Sequence, residues 1–236
     1  MALDTVGSTN DEAFRLAREG AGDLTLVTAV SQDAGRGRRG RAWTSPPGNF
    51  YGTFLLDPCQ PLARLAELGF VAAVATVETC RALLPAGRRI EIKWPNDVLV
   101  DGAKVSGILV ETEAAPAGRH WVAVGIGINV GSRPDGMPYE VTALARDVPV
   151  TVETVRQCLV ERFACWYRVW LADGFAPVRA AWAAAAVAAG RPIEVRLRDE
   201  TLEGQFAGID DGGALLLDQP TGRRRVTVGD VMLRTG

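Results

Sequence analysis

The chain has 236 residues, is 47% hydrophobic and 23% charged, and carries a formal net charge of −2 at pH 7. These values are typical of a soluble globular protein with one large domain or a large and a small one, and they exclude a global field that attracts nucleic acid or membrane. The most apolar run, residues 68–77, is about half the roughly 20 residues of a membrane span. Because nothing at the N-terminus marks export, we predict a cytoplasmic protein with no DNA or membrane partner.

Apolar periodicity and turn residues predict an α+β chain. The predicted elements, in chain order, are a helix that begins after Ser8 and Thr9 and ends at Gly20, a strand over 24–30, a glycine- and arginine-rich loop over 31–49, a strand over 50–56, a helix over 62–84, a strand over 89–94, two strands joined by the Asp101-Gly102 turn, a strand over 120–129, a loop-rich stretch over 131–150, and helices over 152–173 and 175–189. Consecutive strands with short turns favour an antiparallel meander. Gly190-Arg191-Pro192 marks a boundary, after which closely spaced short strands predict a small β-barrel or sandwich.

Residues 35–40 read as G-x-G-x-x-G, the fingerprint of dinucleotide-binding folds. That fold needs a helix directly after the glycines, but residues 41–52 carry two prolines and lead into a strand. The stretch is more typical of a loop whose glycines let the backbone approach a phosphate or carboxylate that arginines contact. Because four like charges repel, we expect the loop to be poorly ordered until a nucleotide binds. A solvated basic loop is the alternative, and Trp43 adds a ring that can stack on a base.

Two lysines stand out, because Lys93 and Lys104 are the only ones among 26 basic residues. They flank a predicted hairpin, so both can reach one face of one sheet. Asn96 and Asp97 follow a strand break and suit polar groups or Mg²⁺, and Gly107 allows close approach of a ligand. Each residue alone has a structural alternative, as a turn residue, a cap or a bulge. Four scattered cysteines and a single histidine predict free thiols and no tightly bound metal.

Five motifs appear in the order found in biotin protein ligases. They are GSTN at 7–10, Q-x-x-GRGRRGR-x-W at 32–43, KWPND at 93–97, K-x-x-GIL-x-E at 104–111 and G-x-GIN at 125–129. The chain resembles this family over essentially its whole length. The resemblance implies an α+β fold, with a catalytic domain over 1–188 that is similar to class II aminoacyl-tRNA synthetases and combines a mixed or antiparallel sheet with helices. It also implies a small SH3-like β-barrel over 189–236.

The resemblance implies a two-step ligase reaction that results in protein biotinylation. Biotin and ATP, with Mg²⁺, give biotinyl-5′-AMP and pyrophosphate. The adenylate then acylates one lysine of the biotin carboxyl carrier domain of a carboxylase. The residues suit this chemistry, because a carboxylate that attacks the α-phosphate needs cations that offset the repulsion between two anions.

Carried over residue by residue, the resemblance implies three groups of site residues. The catalytic group comprises Lys104, Arg36, Arg38 and Lys93. The biotin-binding group comprises Ser8, Thr9, Asn10, Gln32, Gly35, Arg36, Gly37, Arg38, Lys104 and Gly107. The ATP-binding group comprises Arg38, Arg39, Arg41, Trp43, Asn96 and Asn129, with Asp97 as a Mg²⁺ ligand. In this assignment Lys104 bridges the biotin carboxylate and the α-phosphate, and Trp43 packs near adenine.

Bifunctional members of that family carry a DNA-binding winged helix before the STN segment. Because Ser8 stands close to the N-terminus, the sequence predicts the monofunctional type without repressor function, as a monomer or a homodimer. Two alternatives stay open. One is a lipoate or octanoate ligase of the same fold, and the other is a non-catalytic module that binds adenylates or nucleic acid through the arginine loop.

Overall fold

A computed structural model describes residues 1–146 and 148–233. Its first part is built on seven strands: β1 (Ala2–Val6), β2 (Thr25–Gln32), β3 (Phe50–Leu56), β4 (Ile90–Lys93), β5 (Asp97–Val100), β6 (Ala103–Ala114) and β7 (His120–Ile128). They form one sheet in the order β1-β2-β3-β7-β6-β5-β4. The β1–β2 pair is parallel and the other pairs are antiparallel, so the sheet is mixed.

Helices cover both faces of this sheet. They are α1 (Thr9–Arg18), α2 (Leu62–Leu65), α3 (Leu68–Leu83), α4 (Val152–Asp173) and α5 (Phe175–Ala185). Successive strand residues point to opposite faces, and Leu55 of β3 packs with α1, whereas its neighbours Phe54 and Leu56 pack in the larger core. That larger core contains α3, of whose 16 residues 11 are buried. Helices α4 and α5 pack on α3.

The second sheet has five antiparallel strands in the order β11-β10-β9-β8-β12. Their bounds are β8 (Pro192–Arg196), β9 (Thr201–Ile209), β10 (Leu215–Gln219), β11 (Gly222–Val226) and β12 (Asp230–Leu233). Its apolar side chains join the core of the first sheet. Trp94 Nε1 donates a hydrogen bond to the carbonyl oxygen of Gly213 at 3.0 Å, which ties the two sheets together beside the functional cavity.

The structure confirms the α+β fold and the meander, and the region predicted to be a small barrel is a five-stranded antiparallel sheet. Local signals act as expected: Ser8 caps α1 by accepting from the Asn10 backbone N–H, and the hairpin turns at Asp101-Gly102. Position 147 and residues 234–236, which fall in the predicted loop and the predicted second domain, lie outside the described residues.

Three elements differ from the prediction. Strand β1 was not predicted, because it is a short, mostly exposed strand whose register depends on its parallel partner β2. The helix predicted over 62–84 is interrupted by two residues between α2 and α3. The helix predicted to end at 189 ends at Ala185, because Ala186 pairs with Ile92 and the Val187 backbone N–H donates to the Ile92 carbonyl. Within the described residues, no helix is long and apolar enough to cross a bilayer.

Candidate active site

A cavity of about 410 Å³ lies between the first sheet, the arginine-rich loop and β12. Residues from all five sequence motifs line it, together with residues 137–139 and Asp230, Val231 and Met232 of β12. The fold therefore brings to one place motif residues as distant in sequence as Ser8 and Gly127. Its volume suits a small organic ligand.

One end of the cavity is lined by neutral polar side chains, which are hydrogen-bonded to one another and to Glu111. The Thr9 backbone N–H and hydroxyl donate to Gln32 Oε1 at 2.9 and 3.1 Å, and Gln32 Nε2 donates to Ser45 Oγ at 3.0 Å. Thr53 Oγ1 lies 2.6 Å from Asn10 Oδ1, and Asn10 Nδ2 donates to Glu111. These side chains offer both donors and acceptors, which suits a neutral ligand ring that carries N–H and C=O groups. Ser8 also lines this end.

The two lysines meet at one carboxylate. Lys93 Nζ lies 2.9 Å from Asp97 Oδ2, and Lys104 Nζ lies 2.7 Å from Asp97 Oδ1. Strand pairing produces this arrangement, because β5, which begins at Asp97, lies between β4 and β6. Burial opposes ionisation of Asp97, but the lysines outweigh it and hold the pKa of the carboxyl below its usual value of 3.8. The cluster of three residues keeps a net positive charge that faces the cavity.

This geometry disagrees with the predicted Mg²⁺ role of Asp97. Each carboxylate oxygen already contacts an ammonium group, so a metal ion would have to displace a lysine and then lie beside the other. Across residues 1–146 and 148–233, no group of three or more His, Cys, Asp or Glu side chains is placed to hold a metal. Asp97 acts here as the counter-ion that orients two lysines.

The arginine-rich loop divides into two parts. Arg36 turns toward α1 and forms a two-pronged contact with Asp11 at 2.6 and 2.7 Å, and it lies 3.2 Å from Glu111. Hydrogen bonding to Arg36 lowers the pKa of Asp11. Arg36 is thus held by carboxylates of α1 and β6 at the polar end of the cavity.

The other three arginines turn toward β12. Asp230 Oδ1 lies 2.7 Å from Arg41 Nη2 and 3.7 Å from Arg38 Nη1, and Asp230 Oδ2 lies 3.2 Å from Arg39 Nη1. Burial lowers the pKa of Arg38 despite this partner. The expected disorder of the loop rested on unopposed repulsion, and Asp230 offsets part of that repulsion. The disorder of the loop without nucleotide stays an untested prediction.

Glycines of β6 and β7 make room for Trp43. A Cβ added at Gly107 would lie 2.9 Å from the Trp43 ring, and one at Gly127 would lie 2.7 Å from it. Likewise, a Cβ at Gly125 would lie 2.5 Å from Asn10 Oδ1. Lys104 Nζ lies 5.2 Å from the Trp43 ring centroid. Trp43 therefore forms the floor of the cavity between the polar end and the lysines.

Three predicted site residues do not line the cavity. Asn129 is buried and donates from Nδ2 to the Thr142 carbonyl, so its amide supports the following loop. Gly35 packs so closely on the Trp43 carbonyl that an added Cβ would lie 2.5 Å from it, which makes it a folding position of the loop. Arg39 contacts β12 and β8 at the rim. Asn96 lines the cavity, although its Nδ2 donates to the Ile108 carbonyl.

Several cavity residues were not predicted from the sequence. Tyr139 lies with its ring centroid 5.8 Å from Lys93 Nζ and 5.5 Å from Lys104 Nζ, and burial raises the pKa of its hydroxyl. Asp230 was missed because 189 positions separate it from Arg41. Gly125 and Gly127 belong to the G-x-GIN motif, so the sequence indicated that they matter for the site. It did not indicate which side chains pack against them.

Comparisons with known proteins identify the relatives of this chain. Residues 4–129 match the model of the biotin/lipoate A/B protein ligase family, and residues 189–234 match the biotin protein ligase C-terminal domain. A biotin–[acetyl-CoA-carboxylase] ligase of Paracoccus denitrificans is 42% identical over 97% of this chain and 98% of its own length. A bifunctional ligase/repressor of Bacillus subtilis is 35% identical, and the match covers 98% of this chain and 72% of that protein.

A solved structure extends the likeness to three dimensions. The biotin protein ligase of Aquifex aeolicus in complex with biotin and ATP superposes with a TM-score of 0.82 and 26% identity, over all of this chain and 98% of that one. The family match covers more than half of the chain, and the Paracoccus relative matches nearly end to end. The chain belongs to the biotin/lipoate A/B protein ligase family.

Proposed function

We propose that this protein is an ATP-dependent biotin–protein ligase. In the first step an oxygen of the biotin carboxylate attacks the α-phosphorus of ATP, the bond from that phosphorus to the bridging oxygen breaks, and pyrophosphate leaves. In the second step a lysine amine of the acceptor attacks the acyl carbon. The acyl carbon–oxygen bond breaks, AMP leaves and the amine loses a proton, which produces an amide.

The lysine pair on Asp97 carries this proposal. The first step brings two anions together, and it needs cations that are already in place when they meet. Lys104 lies between the Trp43 floor and Tyr139, beside the neutral polar end. An ammonium at that point can contact the carboxylate of an acid bound at the polar end and the phosphate of a nucleotide bound at the arginine rim.

We assign the polar end to the biotin ring system. Ser8, Thr9, Asn10 and Gln32 supply neutral donors and acceptors, and biotin's ureido group needs both. We assign Trp43 to the acid and not to adenine, because its ring lies on Gly107 and Gly127 next to Lys104. The ring covers the backbone of both glycines, so the acid lies against the ring and not against the sheet.

The nucleotide phosphates belong at the opposite rim. Arg38 and Arg41 line the cavity there, and Lys93 also lines it, with its Nζ 5.8 Å from the Tyr139 ring centroid. These cations outnumber the nearby carboxylates Asp97 and Asp230, so the rim favours a polyanion. Arg36 is engaged by carboxylates at the polar end, and its role is to anchor the loop over the acid.

The remaining assignments follow from this function. The acceptor is the biotin carboxyl carrier domain of a carboxylase, and the named substrate of the Paracoccus relative, acetyl-CoA carboxylase, supports that choice. Mg²⁺ enters with ATP, and no protein ligand is assigned to it. The chain divides into a catalytic domain over 1–188 and a second domain from 189 onward. It works in the cytoplasm, as a monomer or a homodimer.

Pyrophosphate exchange into ATP tests the proposal directly. The purified protein is mixed with MgATP and labelled pyrophosphate, and biotin, lipoate, octanoate or no acid is added. Exchange with biotin alone, followed by biotin transfer to a carrier domain, is the expected result. Exchange with lipoate or octanoate would keep the reaction and change the substrate. A protein cleared of bound adenylate that shows no exchange with any acid would exclude the ligase function.

A further inference from the structure

Asp230 is the first residue of β12, one of the two edge strands of the second sheet. Its carboxylate accepts hydrogen bonds from Arg41 and Arg39, and Arg38 lies at 3.7 Å. Arg38 also donates to the Gly229 carbonyl at 3.2 Å, so a backbone group next to Asp230 joins the same contact. Gly229 and Asp230 together therefore contact three arginines of the loop, Arg38, Arg39 and Arg41.

The contact has a clear electrostatic purpose. Three guanidinium groups within four positions repel one another, and side chains in a glycine-rich loop lose much freedom when they are ordered. Arg39 has a φ of 58°, which residues other than glycine rarely adopt, and it reaches Asp230 from that conformation. The carboxylate offsets the repulsion and fixes the loop against the second sheet.

The same carboxylate lines the cavity. An anion at a nucleotide-binding rim repels phosphate, so Asp230 would be unfavourable there unless its effect on the arginines outweighs that repulsion. Three cations face one carboxylate, so a net positive charge remains for the phosphates. The loop then needs little rearrangement when ATP binds, because the conformational entropy of the loop is lost when the protein folds and not when the nucleotide binds.

We propose that Asp230 is a positioning residue that docks the arginine-rich loop on the second sheet before the nucleotide binds. The inference rests on the proposed function, since it names the first step as the one that benefits. Asp230 acts through Arg38, Arg39 and Arg41 and forms no bond to the reacting atoms. Through Asp230, the second sheet contributes to the nucleotide site in addition to packing against the first sheet.

The test compares Asp230→Asn, which keeps shape and removes charge, with Asp218→Asn as a matched control. Asp218 pairs with Arg223 in the same sheet, its side chain is 45% exposed, and it does not line the cavity. In Asp230→Asn we expect the KM for ATP in biotin-dependent exchange to rise about tenfold, as for loss of a charge-assisted contact, with kcat changed little. Asp218→Asn should leave both constants unchanged. A KM for ATP that stays constant or falls in Asp230→Asn overturns the proposal.

A second readout does not depend on activity. Brief trypsin digestion followed by mass spectrometry measures cleavage after the arginines of the loop in the ligand-free protein. Asp230→Asn should be cut there several times faster than the unchanged protein, and biotin with ATP should restore protection. Equal cleavage rates in both proteins overturn the proposal. If the unchanged protein shows no exchange at all, the ligase function fails, while the digestion result still decides whether Asp230 docks the loop.

Asp230→Glu is a second variant that keeps the proposal testable if Asp230→Asn does not fold. It keeps the charge but moves the carboxylate by one methylene, so the KM for ATP and the cleavage rate should lie between those of the unchanged protein and Asp230→Asn. Cooperative thermal unfolding of all three variants shows whether the second sheet is intact. If Asp230→Asn does not fold, Asp230→Glu decides, and unchanged values for it reject the proposal.

Discussion

Lys93 and Lys104, the two lysines of the chain, hold opposite oxygens of one carboxylate, that of Asp97. An arginine-rich chain thus keeps lysine at two adjacent points of one site. An ammonium is compact and can pivot between partners, whereas a guanidinium fork fixes its partner in a plane. This property suits a group that has to leave Asp97 and bridge two reacting anions.

Replacement of Lys104 tests that role. Lys104→Met should lower the kcat of biotin-dependent pyrophosphate exchange by at least about 100-fold, because a preorganised charge is lost where charge develops. Thermal unfolding should change little, since Asp97 keeps Lys93. Arg156→Met, an exposed change on α4, is the control. If Lys104→Met unfolds the protein instead of inactivating it, Lys104 is a structural residue.

The Asp97 contact predicts a specific pH dependence of stability. Because the folded-state pKa lies below 3.8, the ionised carboxylate contributes stability above the unfolded-state pKa, and this contribution is lost as the pH falls through the folded-state value. Asp97→Asn should cost about 3 kcal/mol of unfolding free energy near neutral pH, as for a broken buried pair. The difference from the unchanged protein should be flat above about pH 5 and shrink toward zero in stronger acid.

Denaturant unfolding at a series of pH values measures this difference, with the exposed Asp199→Asn as control. A gap between Asp97→Asn and the unchanged protein that persists in strong acid would show that the ion pairs do not cause it.

The glycine under Trp43 predicts a packing effect. Gly127→Ala should displace the ring, because an added Cβ would come within 2.7 Å of it, and overpacking of this kind costs about 1–3 kcal/mol. The KM for biotin should rise with it. Gly69→Ala in α3 is the matched control, because its Cβ would meet Val110 at an ordinary 3.4 Å and alanine favours a helix. Equal effects of the two changes on the KM for biotin would show that Trp43 is not part of the floor.

The divided loop predicts that Arg36 and Arg38 differ. Arg38→Gln should lower the rate of exchange by about 100-fold through loss of a cation at the phosphates. Arg36→Gln should raise the KM for biotin by about tenfold and spare kcat, because it breaks the anchor to Asp11. Asp11→Asn removes the same contact and should reproduce Arg36→Gln. Steady-state kinetics of the three variants decide the matter, and a loss of kcat in Arg36→Gln alone would assign Arg36 to the reacting groups.

Local features of the sequence predicted much of the fold. The cap at Ser8, the Asp101-Gly102 turn, β3 and α4 could be read directly, because capping, turn glycines and apolar periodicity act within a few residues. The motifs also predicted that Lys93 and Lys104 share a site, since they flank one hairpin. Here a short-range pattern was enough to predict that two side chains lie near one face of the same sheet.

The tertiary structure decided which charges meet. Asp230, near the C-terminal end of the chain, contacts arginines of the loop near the N-terminal end. Asp97 contacts two lysines, although the motif suggested that it binds a metal ion. Trp43 faces Lys104 because three segments pack at Gly127 and Gly107. Residue type and spacing therefore determined what kind of site this chain builds. The partner of each charged side chain depends on packing between distant segments, which local sequence does not encode.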